Sequence, residues 1–399
     1  MNWTRVWNSK NLSIVAFAYV LISLIAAVQG VFGTPKVYLP GAPAYPDYNN
    51  YLIFKYSFYH LIGGKDIYQL FPADHHDLYK YSPAFATVFG LLSWLPDPLG
   101  LFLWNLINSL CLFAGIRMLP GLDDKKKSWI LLFCLLELLV SIQNTQSNGL
   151  MAGLIILSFG LAERSKYFLS VLCIVFSIYI KIFGALAFVL YLFYPGKLKI
   201  AAYSIFWMLL MAFLPLIVID AHQLLFLYKS WLQLLQGDHS ASIGISLMGI
   251  MESWFGAGSD TVKNWVVLAG LLLFLLPLLR IRQYKDYTFR LLMLASVLLW
   301  IVIFNHKAES PTFIIAMSGV GIWYFAQERS AINTVLLILT LFLVSLSVSD
   351  LVPFFIRNEF VKPYRIKAIM PILVWCKLIY ELTSLRYKPV IQAETSLSR

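Results

Sequence analysis

The sequence predicts an all-α integral membrane protein, a bundle of about 12 transmembrane helices (roughly 11 to 13) with further helices in its external loops. Three observations carry this. Of 399 residues, 60% are hydrophobic and only 13% charged, more apolar than a soluble core of this size needs. Apolar runs of helical length recur along the whole chain, where a membrane barrel would show short alternating segments. The basic residues gather in short loops between those runs, so the net charge of +11 reads as membrane orientation and not as nucleic-acid binding.

The first run, 12–32, follows Arg5 and Lys10 and lacks a small-residue cleavage site, so it is expected to be an uncleaved span. Further spans are expected at 98–118, 127–142, 148–163, 167–180, 182–194, 199–220, 262–280, 287–305, 309–326, 331–349 and 366–384. The pieces 167–180 and 182–194 are short and also read as one bent helix pair. The apolar piece 82–95 is shorter than a span. Counted as one, it would put Arg5 and Lys10 opposite Arg386 and Lys388, against the positive-inside tendency. It is expected instead to enter the membrane and return, or to lie at its surface.

With that choice the basic loops 119–126, 163–166, 195–199, 280–290 and 327–330 share the cytoplasmic side with both termini. The less basic segments 33–81, 143–148, the turn at Lys181, 221–261, 305–310 and 350–365 share the other. The chain thus reads as one integral-membrane domain, 1–399. Its two external elaborations are a first loop, 33–81, with interfacial helices, and a second, 221–261, with apolar residues at helical spacing. No internal repeat of the kind found in many transporters is visible. Cys111, Cys134, Cys173 and Cys376 all sit in or beside apolar runs, which suggests packing and no disulfide framework.

The polar residues suggest where chemistry could sit. Asp47, near the start of the first external loop, could act as a general base toward an acceptor hydroxyl, or cap the helical stretch that begins at 48. Asp66 follows Gly63 and Gly64, which should end that helix. His75 and His76, flanked by Asp74 and Asp77, resemble metal ligands only superficially, because adjacent side chains rarely converge on one ion; a solvated loop is the expectation, with no metal and no cofactor. Lys80 and Tyr81 in the run YKYSP stand where the chain re-enters the apolar phase. They suit interfacial anchoring or contact with a lipid phosphate.

Gln143, Asn144, Gln146 and Asn148 form an uncharged cluster suited to sugar hydroxyls or to plain turn roles. Lys181 interrupts an apolar stretch and is a functional candidate on that ground, as is Glu137. Asp220 and His222 suit a helix cap. His306 and Lys307 could hold a phosphate by charge-assisted bonds, with Glu309 orienting the histidine or starting the next helix.

In order, PDYNNY (46–51), GGKDIY (63–68), YKYSPAFATVFGLLSWLP (79–96), QNTQSNGLMAGLIILSFGLAERSK (143–166), YIKIFG (179–184) and NHKAESPTFIIA (305–316) resemble the membrane glycosyltransferases of the GT-C class. Within that class they resemble family 87, the polyprenyl-phosphate-mannose-dependent mannosyltransferase-like proteins. The resemblance runs to about residue 326 and implies a GT-C-like helical bundle. It implies that Asp47 is the catalytic base of an inverting transfer of mannose or another hexose from a polyprenyl-phosphate donor. The acceptor would be a hydroxyl on a lipid, glycan or other envelope molecule, and the active site would face the external (periplasmic) side of the inner (cytoplasmic) membrane.

His306, Lys307, Lys181, Lys80 and Tyr81 are then candidates for the donor phosphate or lipid, and Gln143, Asn144, Asn148, Glu309 and Asp66 for sugar or acceptor. A lipid-linked donor agrees with the lack of a Gly-rich nucleotide motif. Ile142 stands where the family's form has a glycine before the amide turn, and no DxD pair marks Asp47 for a metal. A transporter or flippase of lipid-linked sugars is the alternative. It would carry ionisable residues deeper in several spans, and these are sparse here.

Overall fold

The computed structural model describes residues 10–38, 43–237, 244–328 and 330–385; Arg5, Arg329, Arg386 and Lys388 lie outside the described residues. Among the described residues the regular elements are helical, and the one β-type pairing is an isolated bridge between Lys36 and Tyr45. Apolar surroundings require each backbone N–H and C=O to be satisfied within its own segment, which a helix does. Among the described residues, four helices are long and apolar enough to cross a membrane, spanning Lys10–Phe32, Asp97–Met118, Lys197–Ile217 and Asp260–Leu279. Seven shorter apolar helices accompany them.

The residues group into two compact units. The first draws on Met1–Phe188, Gly196–Ser242 and Glu309–Ile315. It holds α1 (Lys10–Phe32), α2 (Asn49–Ile62), α3 (Pro83–Ser93), α4 (Asp97–Met118), α5 (Asp124–Gln143), α6 (Asn148–Ala162), α7 (Tyr167–Ile180), α8 (Lys197–Phe213) and α9 (Ala221–Gly237). At 11 residues α3 is about 16 Å long, too short to cross a bilayer. Ser82 starts it by accepting the Phe85 N–H at 3.1 Å, with Pro83 in the first turn. After α7 the chain breaks at Lys181, whose backbone is extended, before a 3-10 stretch over Ile182–Phe193.

Two contacts place the polar end of this unit. The α4 and α6 backbones approach closely across small residues of α6. A Cβ on Gly153 would lie 2.4 Å from the Cys111 carbonyl carbon, and one on Gly149 would lie 3.3 Å from the Asn108 carbonyl oxygen. Asn108 uses that proximity to accept the Leu150 N–H at 2.9 Å. Gly153→Val is expected to lower stability by about 1–3 kcal/mol or more, since the obstacle is backbone and cannot move aside. Thermal unfolding of the purified protein measures it. Second, Lys55 Nζ on α2 meets Asp97 Oδ1 at 2.5 Å and the Leu95 carbonyl at 3.1 Å, tying the first loop's helix to the start of α4.

The second unit draws on Val189–Pro195, Ile243–Ala308 and Ala316–Arg399. Its helices include α10 (Leu247–Phe255), α11 (Asp260–Leu275), α12 (Tyr287–Ile303), most of α13 (Phe313–Phe325), α14 (Ala331–Thr340), the short α15 (Phe354–Ile356) and α16 (Ile366–Ser384). Its core lies between α12 and α16, where Trp375 Nε1 reaches Ser296 Oγ at 3.1 Å. Trp323 Nε1 donates to the buried Glu381 at 2.7 Å. The segment 221–261 contributes α9 to the first unit and α10 to the second.

Candidate active site

Asp47 is held by its partner across the loop and not by the helix that follows it. The Lys36–Tyr45 bridge closes with N–H to O distances of 2.8 and 2.9 Å and brings Lys36 beside Asp47, where Nζ pairs with Oδ1. The hydrogen bond to Asp47 raises the Lys36 pKa above its usual value. Helix α2 begins with Tyr48 as its N-cap and no side-chain cap, so the capping role expected for Asp47 is overturned. The Asp47 side chain is 27% exposed, open enough for a substrate to reach.

Asp47 opens onto a cavity of about 320 Å³ whose walls include Lys36, Gln29, Tyr38, Asn50, Gln143 and Asn144. The wall is built by side-chain amides. Gln143 Nε2 donates to Gln29 Oε1 at 2.8 Å, and Asn50 Nδ2 donates to the Asn144 carbonyl at 2.8 Å. Paired donors and acceptors of this kind suit sugar hydroxyls. Tyr38 stacks flat on His76 at 4.3 Å, and Asn49 clasps the His76 backbone through two bonds of 2.8 Å.

The amide turn after α5 reaches beyond this cavity. Gln146 Nε2 donates to Glu309 Oε2 at 2.6 Å, Asn148 Nδ2 donates to Gln146 Oε1 at 2.7 Å, and Lys181 Nζ donates to Asn148 Oδ1 at 2.8 Å. The Lys181 ammonium also lies 5.9 Å from the centre of the Tyr81 ring. Residues 143–148 therefore contribute to the Asp47 cavity through Gln143 and Asn144, and link Lys181 to Glu309 through Gln146 and Asn148. Thr145 between them has φ of 50°, an uncommon conformation for a β-branched residue. The turn holds it there through the Trp104 Nε1 bond to the Thr145 carbonyl at 2.8 Å and the Gln146 N–H bond to the Ser141 carbonyl at 3.1 Å.

Of the residues singled out from sequence, Asp47, Gln143 and Asn144 share the first cluster, and Lys181, Tyr81, Asn148 and Glu309 the second. Glu309 also starts the turn that leads into α13, its N–H donating to Thr312 Oγ1 at 3.2 Å. Asp66 lies apart from the cavity wall: its carboxylate accepts Ser230 Oγ of α9 at 2.8 and 3.0 Å and the Tyr68 N–H at 3.2 Å. Lys80 stands 3.8 Å from Asp77, and its carbonyl accepts Trp231 Nε1 at 3.3 Å. Asp220 accepts the Gln223 N–H at 2.8 Å, the capping role expected of it. Glu137 is fully buried in α5.

His306 and Lys307 belong to the second unit. His306 is exposed, its backbone packed behind Gly244, and the Lys307 N–H donates to Asn305 Oδ1 at 2.9 Å. Gln29, Lys36 and Tyr38 escaped the sequence reading. Gln29 was the detectable one, as the sole amide of 12–32.

The solvated loop expected at the histidine pair is overturned for His75, while His76 is half-buried and Asp77 exposed. His75 is 2% exposed and donates to the Asp77 carbonyl at 3.1 Å, and the buried His60 stacks on Phe71 at 3.6 Å with Nε2 2.9 Å from Asp74. Burial, with His60 nearby, lowers the His75 pKa from 6.5 to about 4, and burial lowers that of His60. Each takes up its proton more readily when unfolded. The contribution of His75 to stability is complete above pH 6.5 and is lost as pH falls toward about 4, and that of His60 declines in the same direction. Limited proteolysis of the first loop should accelerate over that window, and His75→Gln should flatten the dependence.

A family model, glycosyltransferase family 87, matches residues 79–304, over half of the chain. No curated protein matches it.

Proposed function

The chain belongs to glycosyltransferase family 87, and we propose that it moves a hexose, mannose foremost, from a polyprenyl-phosphate donor to an acceptor hydroxyl on a membrane lipid, glycan or other envelope molecule. One observation carries this reading: the turn 143–148 contributes to both the Asp47 cavity and the Lys181 cluster. A base and an anion-binding group are the two functions an inverting transfer needs on either side of the sugar. Asp47 takes the acceptor proton as the acceptor oxygen bonds to the anomeric carbon. The bond from that carbon to the phosphate oxygen breaks, and its electron pair leaves on polyprenyl phosphate, whose added charge Lys181 stabilises.

Lys36 engages Oδ1 of Asp47, so Oδ2 is the oxygen offered to the incoming hydroxyl. Gln143, Asn144 and Asn50 hold the acceptor or sugar hydroxyls, and Asn148 and Glu309 orient Lys181 through the bonds already described. Side-chain chemistry alone nominates His306 and Lys307 as further phosphate contacts. The proposal places the chain in the inner membrane with about 12 spans, both termini cytoplasmic and the site on the external face, and it requires no metal.

Purified protein in nanodiscs, given polyprenyl-phosphate hexoses or nucleotide hexoses with membrane-extract acceptor, tests the donor class. Release of polyprenyl phosphate with inversion at the anomeric carbon is expected. Turnover of nucleotide sugars alone, or movement of lipid-linked sugar across the bilayer without bond formation, would exclude the reading.

A further inference from the structure

A second cavity of about 430 Å³ lies in the first unit at the opposite end of α7 from Lys181, lined by Ser165, Lys166, Tyr167, Phe168, Lys199 and Tyr203. It forms where the first turns of α7 and α8 pack together. Trp207 Nε1 of α8 donates to the Phe168 carbonyl at 3.0 Å, and the Phe168 ring meets Tyr203 edge-on at 5.2 Å. Ser165, at φ of 56°, turns the chain sharply after α6 and delivers Lys166 to the rim.

Both lysines are exposed, and neither ammonium has a hydrogen bond or ion pair among the described residues. The neighbouring Arg164 is already engaged by the Gly160 and Met118 carbonyls. Two unpaired cations facing one cavity concentrate positive potential there. Apolar surface adjoins it: Leu169 in its wall is 49% exposed, and α8, which supplies Lys199 and Tyr203, also carries the exposed Leu198, Phe206 and Leu209.

We propose that this cavity seats the head group of an anionic phospholipid. The phosphate meets Lys166 and Lys199, the polar head rests against Tyr167 and Tyr203, and the acyl chains follow Leu169 and the exposed face of α8. A free inorganic anion would use the lysines and leave the apolar edge unexplained. The site lies at the opposite end of α7 from Lys181, shares no lining residue with the Asp47 cavity, and does not depend on the transfer chemistry proposed there.

The purified full-length chain in neutral detergent, titrated with short-chain phosphatidylglycerol or phosphatidylcholine and read by native mass spectrometry, tests it. The anionic lipid should bind about tenfold better than the zwitterionic one, and Lys166→Gln/Lys199→Gln should cut that preference to about twofold or less. Lys125→Gln/Lys126→Gln removes the same charge from the same end of the unit, outside the cavity, and should retain the preference. Equal losses in the two double variants would reduce the effect to diffuse surface charge and overturn the site. Displacement of the lipid by equimolar inorganic phosphate would make it a free-anion site and overturn the lipid assignment.

Discussion

Asp47→Asn is expected to slow sugar transfer about a hundred- to ten-thousand-fold while leaving the protein folded. The substitution preserves the size and shape of the side chain, so the cavity wall and the Lys36–Tyr45 bridge persist. What disappears is the basic oxygen and the ion pair with Lys36, a pair exposed enough to contribute little to stability. Rate and fold therefore separate, and steady-state transfer with a parallel thermal melt reads both. Gly33→Ala is a gentler probe of the same geometry. A Cβ there would stand 3.0 Å from Asp47 Oδ2 and 2.8 Å from the Gln29 carbonyl, so the carboxylate must shift. Misplacing a base by a fraction of an ångström should lower the rate without abolishing it.

Lys181→Met is expected to slow transfer by about a hundred- to a thousand-fold, the scale of removing one preorganised group that stabilises a leaving oxyanion. Met keeps the length of the stem and its packing near Tyr81 and Phe183. The ammonium is held in place through Asn148, Gln146 and Glu309 before any substrate arrives, so little reorganisation is needed when the phosphate develops its charge. Glu309→Gln leaves the cation but removes the carboxylate at the end of that relay. Its effect should be smaller and should appear in donor affinity more than in the chemical step. Comparing the donor dependence of the rate in the two variants distinguishes a phosphate contact from a residue that only positions it.

The parts of the site made from local polar segments were legible in the sequence. Asp47 stands in a polar loop between apolar stretches, and the amides of 143–148 interrupt two helices that are otherwise apolar, so both were visible as candidates. Their partners depend on tertiary pairing. Lys36 reaches Asp47 only because an isolated bridge folds 36 back onto 45, a contact with no periodic signal. Gln29 escaped notice because its partner, Gln143, comes from another helix. The enclosure of the histidine pair was not legible because Phe71, Tyr38 and Asn49 reach it only through tertiary folding of the loop, Phe71 beside His75 and the other two on His76. In the fold, the longest apolar runs appear as α1, α4, α8 and α11, while the shorter ones form helices whose length alone does not decide whether they cross.

The central claim is that Asp47 and Lys181 serve the two halves of one displacement. Single-turnover transfer and donor binding, measured on the same preparations of wild type, Asp47→Asn and Lys181→Met, test it most directly. The account predicts that both substitutions slow the chemical step, and that donor affinity falls in Lys181→Met but stays near wild type in Asp47→Asn. Transfer by Asp47→Asn at the wild-type rate, or a Lys181→Met protein unaltered in both donor binding and chemistry, would contradict it.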